Sequence, residues 1–382
     1  MNLKKKIESW SQKNTYTADW LYRHYHPGRE LLLEKIIAEV TQIDSIVDVK
    51  PLQEYKKRIL EDQVPFWSYD TNATESRMYG IHTSVFDGIE DRNFFFPSSE
   101  HGLILHNKNW SDTQKTARAS CITLGEFRRQ ILRQYYDIPV FCVGPYIHYA
   151  EAYYTSDQMH RLKEELGRNL LVFPTHGTDD AEITYSEKSF LSAIADLRRQ
   201  FDSVTVCAYW WNLDDRMIEL FRKEGCRIVS AGFREDPNFL SRLRAIIDLS
   251  DFVIGDSVGT HIGYCLERDK PFCYFESDTA KKDLNPSDEE DQRFVQAQAE
   301  VIKKAFVGAR EIGPVQLEVY RYYWGADQIK SREELRAMYM LNKKITIDCH
   351  GNLRKYGKYA QRLLHSGALP ELQHRLLKES IA

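Results

Sequence analysis

The run Phe252-Val-Ile-Gly255, followed at once by Asp256-Ser257-Val258-Gly259-Thr260, decides the fold. Four residues with no polar alternation suit a strand buried on both faces, as in a parallel sheet covered by helices. Beyond them, Val258 to Glu267 reads as the apolar-periodic crossover helix of the unit. The turn between strand and helix therefore lies where open α/β sheets take their ligands, beyond the carboxyl ends of the strands.

Outward from this unit the same alternation continues. Strands are expected at Leu170 to Phe173, Val204 to Ala208, Arg227 to Ser230 and Phe272 to Phe275, with amphipathic helices at Lys188 to Arg199, Asp215 to Glu224 and Asn238 to Asp248. This half of the chain is doubly wound. Upstream, a helix is expected from Arg29 to about Ile43 and another around Ser76 to Ile89. Strands at Leu103 to Leu105, Ala119 to Leu124 and Val140 to Val143, with a helix at Glu126 to Tyr136, make a second α/β unit. Ser277 to Asp291 is polar enough for a solvated loop, and helical text resumes at Gln292 and runs to the end. The expected fold class is α/β, with two Rossmann-like domains facing a cleft. The expected boundaries are 1–165 for an acceptor-side domain, 166–310 for a nucleotide-binding domain and 311–382 for a helical segment.

A chain of 382 residues with 42% hydrophobic and 28% charged residues has the balance of a globular protein with a substantial core. Its formal charge of −4 argues against a nucleic-acid partner, which would demand a clustered excess of Lys and Arg. The seven cysteines form no CxxC pair and read as reduced core thiols. No apolar run approaches the ~20 residues of a membrane span, and the start lacks a signal-peptide core. The expected location is the cytoplasm. Met1-Asn-Leu-Lys-Lys-Lys6 reads first as a solvated helix start, and at most as a peripheral contact with the inner face of a membrane.

Glycines at Gly255 and Gly259 permit close backbone approach, and the following helix start offers amides and partial positive charge to a phosphate. Ser257, Val258, Gly259 and Thr260 are thus candidate phosphate ligands. A helix capped by Ser257, with Gly259 packed on the sheet, would produce the same text. The loop after Phe173, Pro174-Thr175-His176-Gly177-Thr178-Asp179-Asp180, places His176 where it can protonate or hydrogen-bond a leaving phosphate, with Thr175, Gly177 and Thr178 around it. The adjacent pair Asp179-Asp180 is too few oxygen ligands for a hard cation, so no metal and no cofactor is expected. Arg234 follows the third strand and suits a diphosphate, unless Glu235 or Asp236 pairs with it. Tyr209-Trp210-Trp211-Asn212 offers stacking surface or simple packing. Upstream, Glu100 and His101 in Ser98-Ser99-Glu100-His101-Gly102 form a carboxylate–imidazole pair suited to general-base work, although they stand before an expected strand. Absent are GxGxxG, GxxxxGK[ST] and GxSxG, so redox, ATPase and hydrolase readings lose ground.

Ala231-Gly-Phe-Arg-Glu-Asp-Pro-Asn-Phe-Leu240, then Leu249 to Cys265, then Lys270-Pro271, resembles bacterial glycosyltransferases of surface-polysaccharide (capsular and lipopolysaccharide) assembly with the GT-B fold. Glu100-His101-Gly102 is similar to the N-domain histidine-glycine element of such enzymes. Pro174 to Thr178 is similar in placement to the His-Pro element of bacterial sialyl- and polysialyltransferases, with Pro174 here preceding the histidine. The resemblance implies a nucleotide-sugar donor on the C-terminal domain and a saccharide or glycolipid acceptor on the N-terminal one, with terminal helices crossing back. It also implies metal-independent transfer in which Glu100 or His101 activates the acceptor. The rival expectations are a glycerophosphotransferase using a CDP-linked donor, a nucleotide-sugar epimerase and a non-catalytic binding protein on the same fold.

Overall fold

The computed structural model describes residues 13–18, 35–61, 81, 95–108, 118–177, 181–184, 187–233, 236–283 and 286–381. The basic start at Met1 to Lys6, the expected helix at Ser76 to Ile89 apart from Ile81, Thr178 to Asp180, Arg234 and Glu235 lie outside them.

In chain order the elements begin with α1 (Lys50–Glu61), β1 (Ser98–Ser99), β2 (Cys121–Thr123), α2 (Glu126–Tyr135), β3 (Val140–Cys142), α3 (Ser156–Leu166), β4 (Asn169–Phe173) and β5 (Ala181–Thr184). Next come α4 (Glu187–Arg198), β6 (Ser203–Cys207), α5 (Arg216–Lys223), β7 (Arg227–Val229), α6 (Phe239–Asp248), β8 (Phe252–Gly255) and α7 (Thr260–Glu267). β9 (Phe272–Tyr274), β10 (Ala280–Asp283), α8 (Glu289–Phe306), α9 (Pro314–Trp324), α10 (Arg332–Asp348), α11 (Leu353–His365) and α12 (Glu371–Ile381) complete the chain.

The chain divides into two compact units. Unit 1 comprises Met1–Leu33, Trp67–Tyr149 and Tyr320–Ala382, and unit 2 comprises Glu34–Phe66 and Ala150–Val319. Both are α/β, each built on a parallel sheet.

In unit 2 the five strands lie in the order β7-β6-β4-β8-β9, all parallel. By order of appearance this is 3-2-1-4-5, so the winding reverses between β4 and β8, and the crevice of a doubly wound sheet opens there. Leu170, Leu171, Val172, Val253 and Ile254 are fully buried on these two central strands. Each such side chain contributes on the order of 1.5–3 kcal/mol through burial, which explains the absence of polar alternation in both strands. The described segment 35–61 folds back onto this unit: Ile36, Val40, Val49, Leu52 and Tyr55 share a core with Val206, Trp210 and Phe233. A separate antiparallel ribbon pairs β5 with β10, from Ala280↔Thr184 to Asp283↔Ala181.

Unit 1 carries the parallel sheet β1-β2-β3, with α2 and the C-terminal helices α10 to α12. Asn342 ties helix to sheet, accepting from Ser120 Oγ and donating to the Phe95 carbonyl, both at 2.6 Å. At the end of α9 the chain turns at Gly325, whose φ of +70° and whose approach to Leu124 leave no room for a side chain: a Cβ there would sit 2.3 Å from the Leu124 carbonyl oxygen. Leu103 to Leu105 forms no strand; the strand is Ser98–Ser99 just before it.

Among the described residues, no helix is long and apolar enough to cross a membrane. All seven cysteines are buried and none is paired in a disulfide.

Candidate functional site

The carboxyl ends of β4 and β8 carry the two loops that flank the crevice of unit 2. Phe173 pairs in register with Gly255, so Pro174 to Gly177 and Asp256 to Gly259 leave the sheet side by side. Asp256 joins them. Buried, with 7% of its surface exposed, it accepts from the Thr175 amide at 2.8 Å and the Thr175 hydroxyl at 2.7 Å through Oδ1, and from Ser277 Oγ at 2.7 Å through Oδ2. One carboxylate thus holds three loop segments, those after β4, β8 and β9. Thr175 is itself buried and directs its hydroxyl to Asp256.

Gly255 is small because Phe272 lies over it: a Cβ there would come within 3.1 Å of that ring and of the Phe173 carbonyl. The helix that follows, α7, begins at Thr260 with Gly259 as N-cap in extended conformation, and no side chain caps it. Ser257 is therefore not the cap. The start of α7 keeps its amide dipoles directed at the crevice, where they favour negative charge. Ser257, Val258, Gly259 and Thr260 are all half-buried on this rim.

His176 is exposed, with its ring 4.6 Å from that of Tyr209 and tilted 33°. Its Nδ1 lies 3.1 Å from the Gly177 carbonyl. A carbonyl only accepts, so this contact makes Nδ1 the donor and leaves Nε2 of the neutral ring as an acceptor. Proton donation from Nε2 requires the imidazolium.

A second histidine, His261, was not singled out by sequence. It lies in the first turn of α7 between Phe173 and Phe272, with ring centroids at 5.0 and 5.4 Å. Its Nε2 is buried and without a hydrogen-bond partner. Burial foremost, and the neighbouring His176 imidazole second, lower its pKa to about 3. The side chain is thus neutral at physiological pH. The apolar-periodic helix pattern masked it, because a histidine inside such a pattern reads as part of the packed face.

The loop after β7 is set by a buried pair: Asp236 and Arg242 are 0% and 1% exposed, with Oδ2 and Nη1 2.6 Å apart. Asp236 also accepts from the Asn238 amide at 2.8 Å. Gly232, at φ +85°, is required because a Cβ there would lie 2.7 Å from the Arg242 guanidinium. The partner of Asp236 is therefore Arg242.

In unit 1, Glu100 and His101 stand directly after β1, at the carboxyl end of a strand. Glu100 is 1% exposed. Its carboxylate is ion-paired with Arg128 Nε at 2.8 Å and accepts from Thr123 Oγ1 at 2.9 Å. Its carbonyl accepts from Tyr146 OH at 3.0 Å. Every polar atom on Glu100 is held inside the protein, which leaves it no open face toward an acceptor hydroxyl. His101 is exposed, carried by a turn whose next residue, Gly102, has φ +65°. Among the described residues no three His, Cys, Asp or Glu side chains gather in a way that would hold a metal ion.

No protein-family model and no curated protein sequence matches the chain. Among solved structures it is similar to the UDP-GlcNAc 2-epimerase of Neisseria meningitidis bound to UDP-GlcNAc, at 12% identity and TM-score 0.36, over 74% of this chain and 83% of that one. It is also similar to Arabidopsis thaliana UGT89C1, at 9% identity and TM-score 0.33, over 90% of this chain and 81% of that one. A third is Medicago truncatula UGT71G1 complexed with UDP-glucose, at 12% identity and TM-score 0.27, over 87% and 78%. Likeness of this degree assigns neither family nor activity to the chain.

Proposed function

We propose that the chain is a glycosyltransferase that takes a sugar from a nucleotide-sugar donor and places it on a saccharide or glycolipid acceptor in surface-polysaccharide assembly. The observation that carries the reading is the switch point between β4 and β8, where an uncapped helix start and two short loops adjoin. Such a site suits a phosphate, because the amides and dipole of α7 oppose its charge and cost no reorganisation when the charge grows. Ser257 and Thr260 add hydroxyl donors to the same rim.

In this reading the donor diphosphate rests on Ser257 to Thr260, and bond breaking is favoured because negative charge develops on the leaving phosphate facing the helix start. The acceptor hydroxyl loses its proton to His101, which is exposed on unit 1, while Glu100 fixes the backbone from which His101 projects. Arg234 belongs to the proposal on its sequence position alone.

Melting temperature measured with CMP, CDP, UDP, GDP and dTDP tests the reading. A ligand present at 100 times its Kd raises stability by about 2.7 kcal/mol. The expected outcome is a clear rise with the nucleotide of one base, followed by release of that nucleotide from the sugar-linked donor when acceptor is supplied. No rise with any of the five overturns the proposal.

A further inference from the structure

We infer that the His176–Tyr209 ring pair is a stacking platform for the nucleobase, so that His176 serves nucleotide binding through its ring face. This rests on the nucleotide-sugar reading above and gives the ligand an orientation. β6 and β8 are the two neighbours of β4 in the sheet. Adjacent strands are ~4.8 Å apart, so loops leaving β6 and β8 are separated by about 10 Å with the β4 loop between them. Phosphate held after β8 and a ring platform at the β4 and β6 ends therefore stand apart as the phosphate and base ends of a nucleotide do.

The platform is built from both sides. Tyr209 follows β6 and is half-buried, and its carbonyl accepts from the Asn212 amide at 2.8 Å, closing a one-turn helix at Trp210–Asn212. Trp210 pins that turn: it is 2% exposed, and its ring lies 3.9 Å from that of Phe233. The Tyr209 ring, partly sunk in this aromatic layer, then supports the exposed imidazole of His176, whose edge is fixed by the Gly177 carbonyl. One face of the imidazole is covered by Tyr209 and the residue remains exposed, which leaves a flat heteroaromatic surface at the crevice. A π-face accepts any base, and base–aromatic stacking is sequence-tolerant for that reason.

Binding of CMP, CDP, UDP, GDP, dTDP, pyrophosphate and glucose 1-phosphate to the wild-type chain, His176→Ala, His176→Phe and Tyr209→Leu is the test, with each variant's melting temperature as the check on folding. Stacking predicts that His176→Ala and Tyr209→Leu weaken the best-bound nucleotide roughly tenfold to hundredfold while pyrophosphate and glucose 1-phosphate are bound as before. His176→Phe, which keeps a flat ring and loses the nitrogens, retains nucleotide affinity. Equal nucleotide affinity in wild type and His176→Ala overturns the inference and leaves the phosphate site standing. Equal loss in His176→Ala and His176→Phe, or a loss shared by pyrophosphate, overturns it in favour of a hydrogen-bonding role on phosphate. Wild type that binds no nucleotide overturns both this inference and the function proposed above.

Discussion

Asp256 accepts two hydrogen bonds from one residue, the amide and the hydroxyl of Thr175, at 2.8 and 2.7 Å. The pair crosses the switch point: Thr175 follows β4, Asp256 follows β8, and the second carboxylate oxygen extends the link to Ser277 after β9. A buried carboxylate beside the proposed anion site is tolerated because three donors compensate it, and the same donors fix the loop geometry.

Removing that carboxylate takes away the acceptor that holds the Thr175 amide, the Thr175 hydroxyl and Ser277 Oγ. Asp256→Ala is expected to lower unfolding free energy by about 3 kcal/mol in urea denaturation, and to weaken pyrophosphate binding as the loop relaxes. Asp256→Asn keeps one carbonyl oxygen for Thr175 and should cost about 1 kcal/mol. If the two variants are equally stable, the double acceptance from Thr175 is not what holds the loop.

Glu100 and His101 should separate by the quantity they change. Glu100→Ala strands the Arg128 guanidinium, 3% exposed, without its partner, a loss of about 3–5 kcal/mol. His101→Ala, on the surface, should shift stability by no more than about 0.5 kcal/mol and reduce turnover by roughly 100-fold. Melting curves beside steady-state rates for the two variants decide it. A stable Glu100→Ala chain with only its turnover lost would return the base role to the carboxylate.

The phosphate site proposed at Ser257 to Thr260 predicts a graded response. Ser257→Ala and Thr260→Val each delete one hydroxyl that would meet a charged oxygen, a contact worth about 1.5–3 kcal/mol, so each should weaken pyrophosphate binding by roughly tenfold or more. Calorimetric titration reads this directly. Unchanged affinity in both variants would place the anion elsewhere.

Much of unit 2 was legible in the sequence because its strands are buried on both faces and its helices are amphipathic. Phe252–Gly255 was bounded to the residue, and β4, β6, β7 and β9 to within one residue at each end. The β5–β10 ribbon was not, since Ala181–Thr184 and Ala280–Asp283 pair across about a hundred residues and the second lies within Ser277 to Asp291, which reads as a polar loop. The return of residues 35–61 to the second core is equally nonlocal. At the candidate site, loop positions followed from strand ends, whereas partners did not. Nothing in Glu100-His101 announces that Arg128, 28 residues on, neutralises the carboxylate. Asp236 reads as a partner for nearby Arg234, yet it pairs with Arg242 inside the helix face. Ser98–Ser99 escaped notice as a strand because two small polar residues carry no hydrophobic pattern.

His261 makes the last prediction, one of pH. Its folded pKa is depressed to about 3, from 6.5 in the unfolded chain, first by burial and then by His176. Between these values the unfolded chain binds a proton that the folded chain refuses. The contribution is therefore fully present above about pH 6.5 and declines as pH falls toward 3, at up to about 1.4 kcal/mol per pH unit. Carboxylates add their own acid sensitivity, so the comparison must be with His261→Phe, which fills the space between Phe173 and Phe272 with another aromatic ring. At pH 7.5 the variant should match wild type closely, because it trades an unpartnered buried nitrogen against a slightly larger ring. At pH 5 it should be the more stable of the two by about 2 kcal/mol, the ~1.5 pH units between 6.5 and 5 multiplied by that slope. Urea titrations of both chains across pH 4.5 to 7.5 measure the difference. Parallel stability profiles would mean that the imidazole accepts its proton in the folded state without penalty, and that the aromatic walls around it open to water.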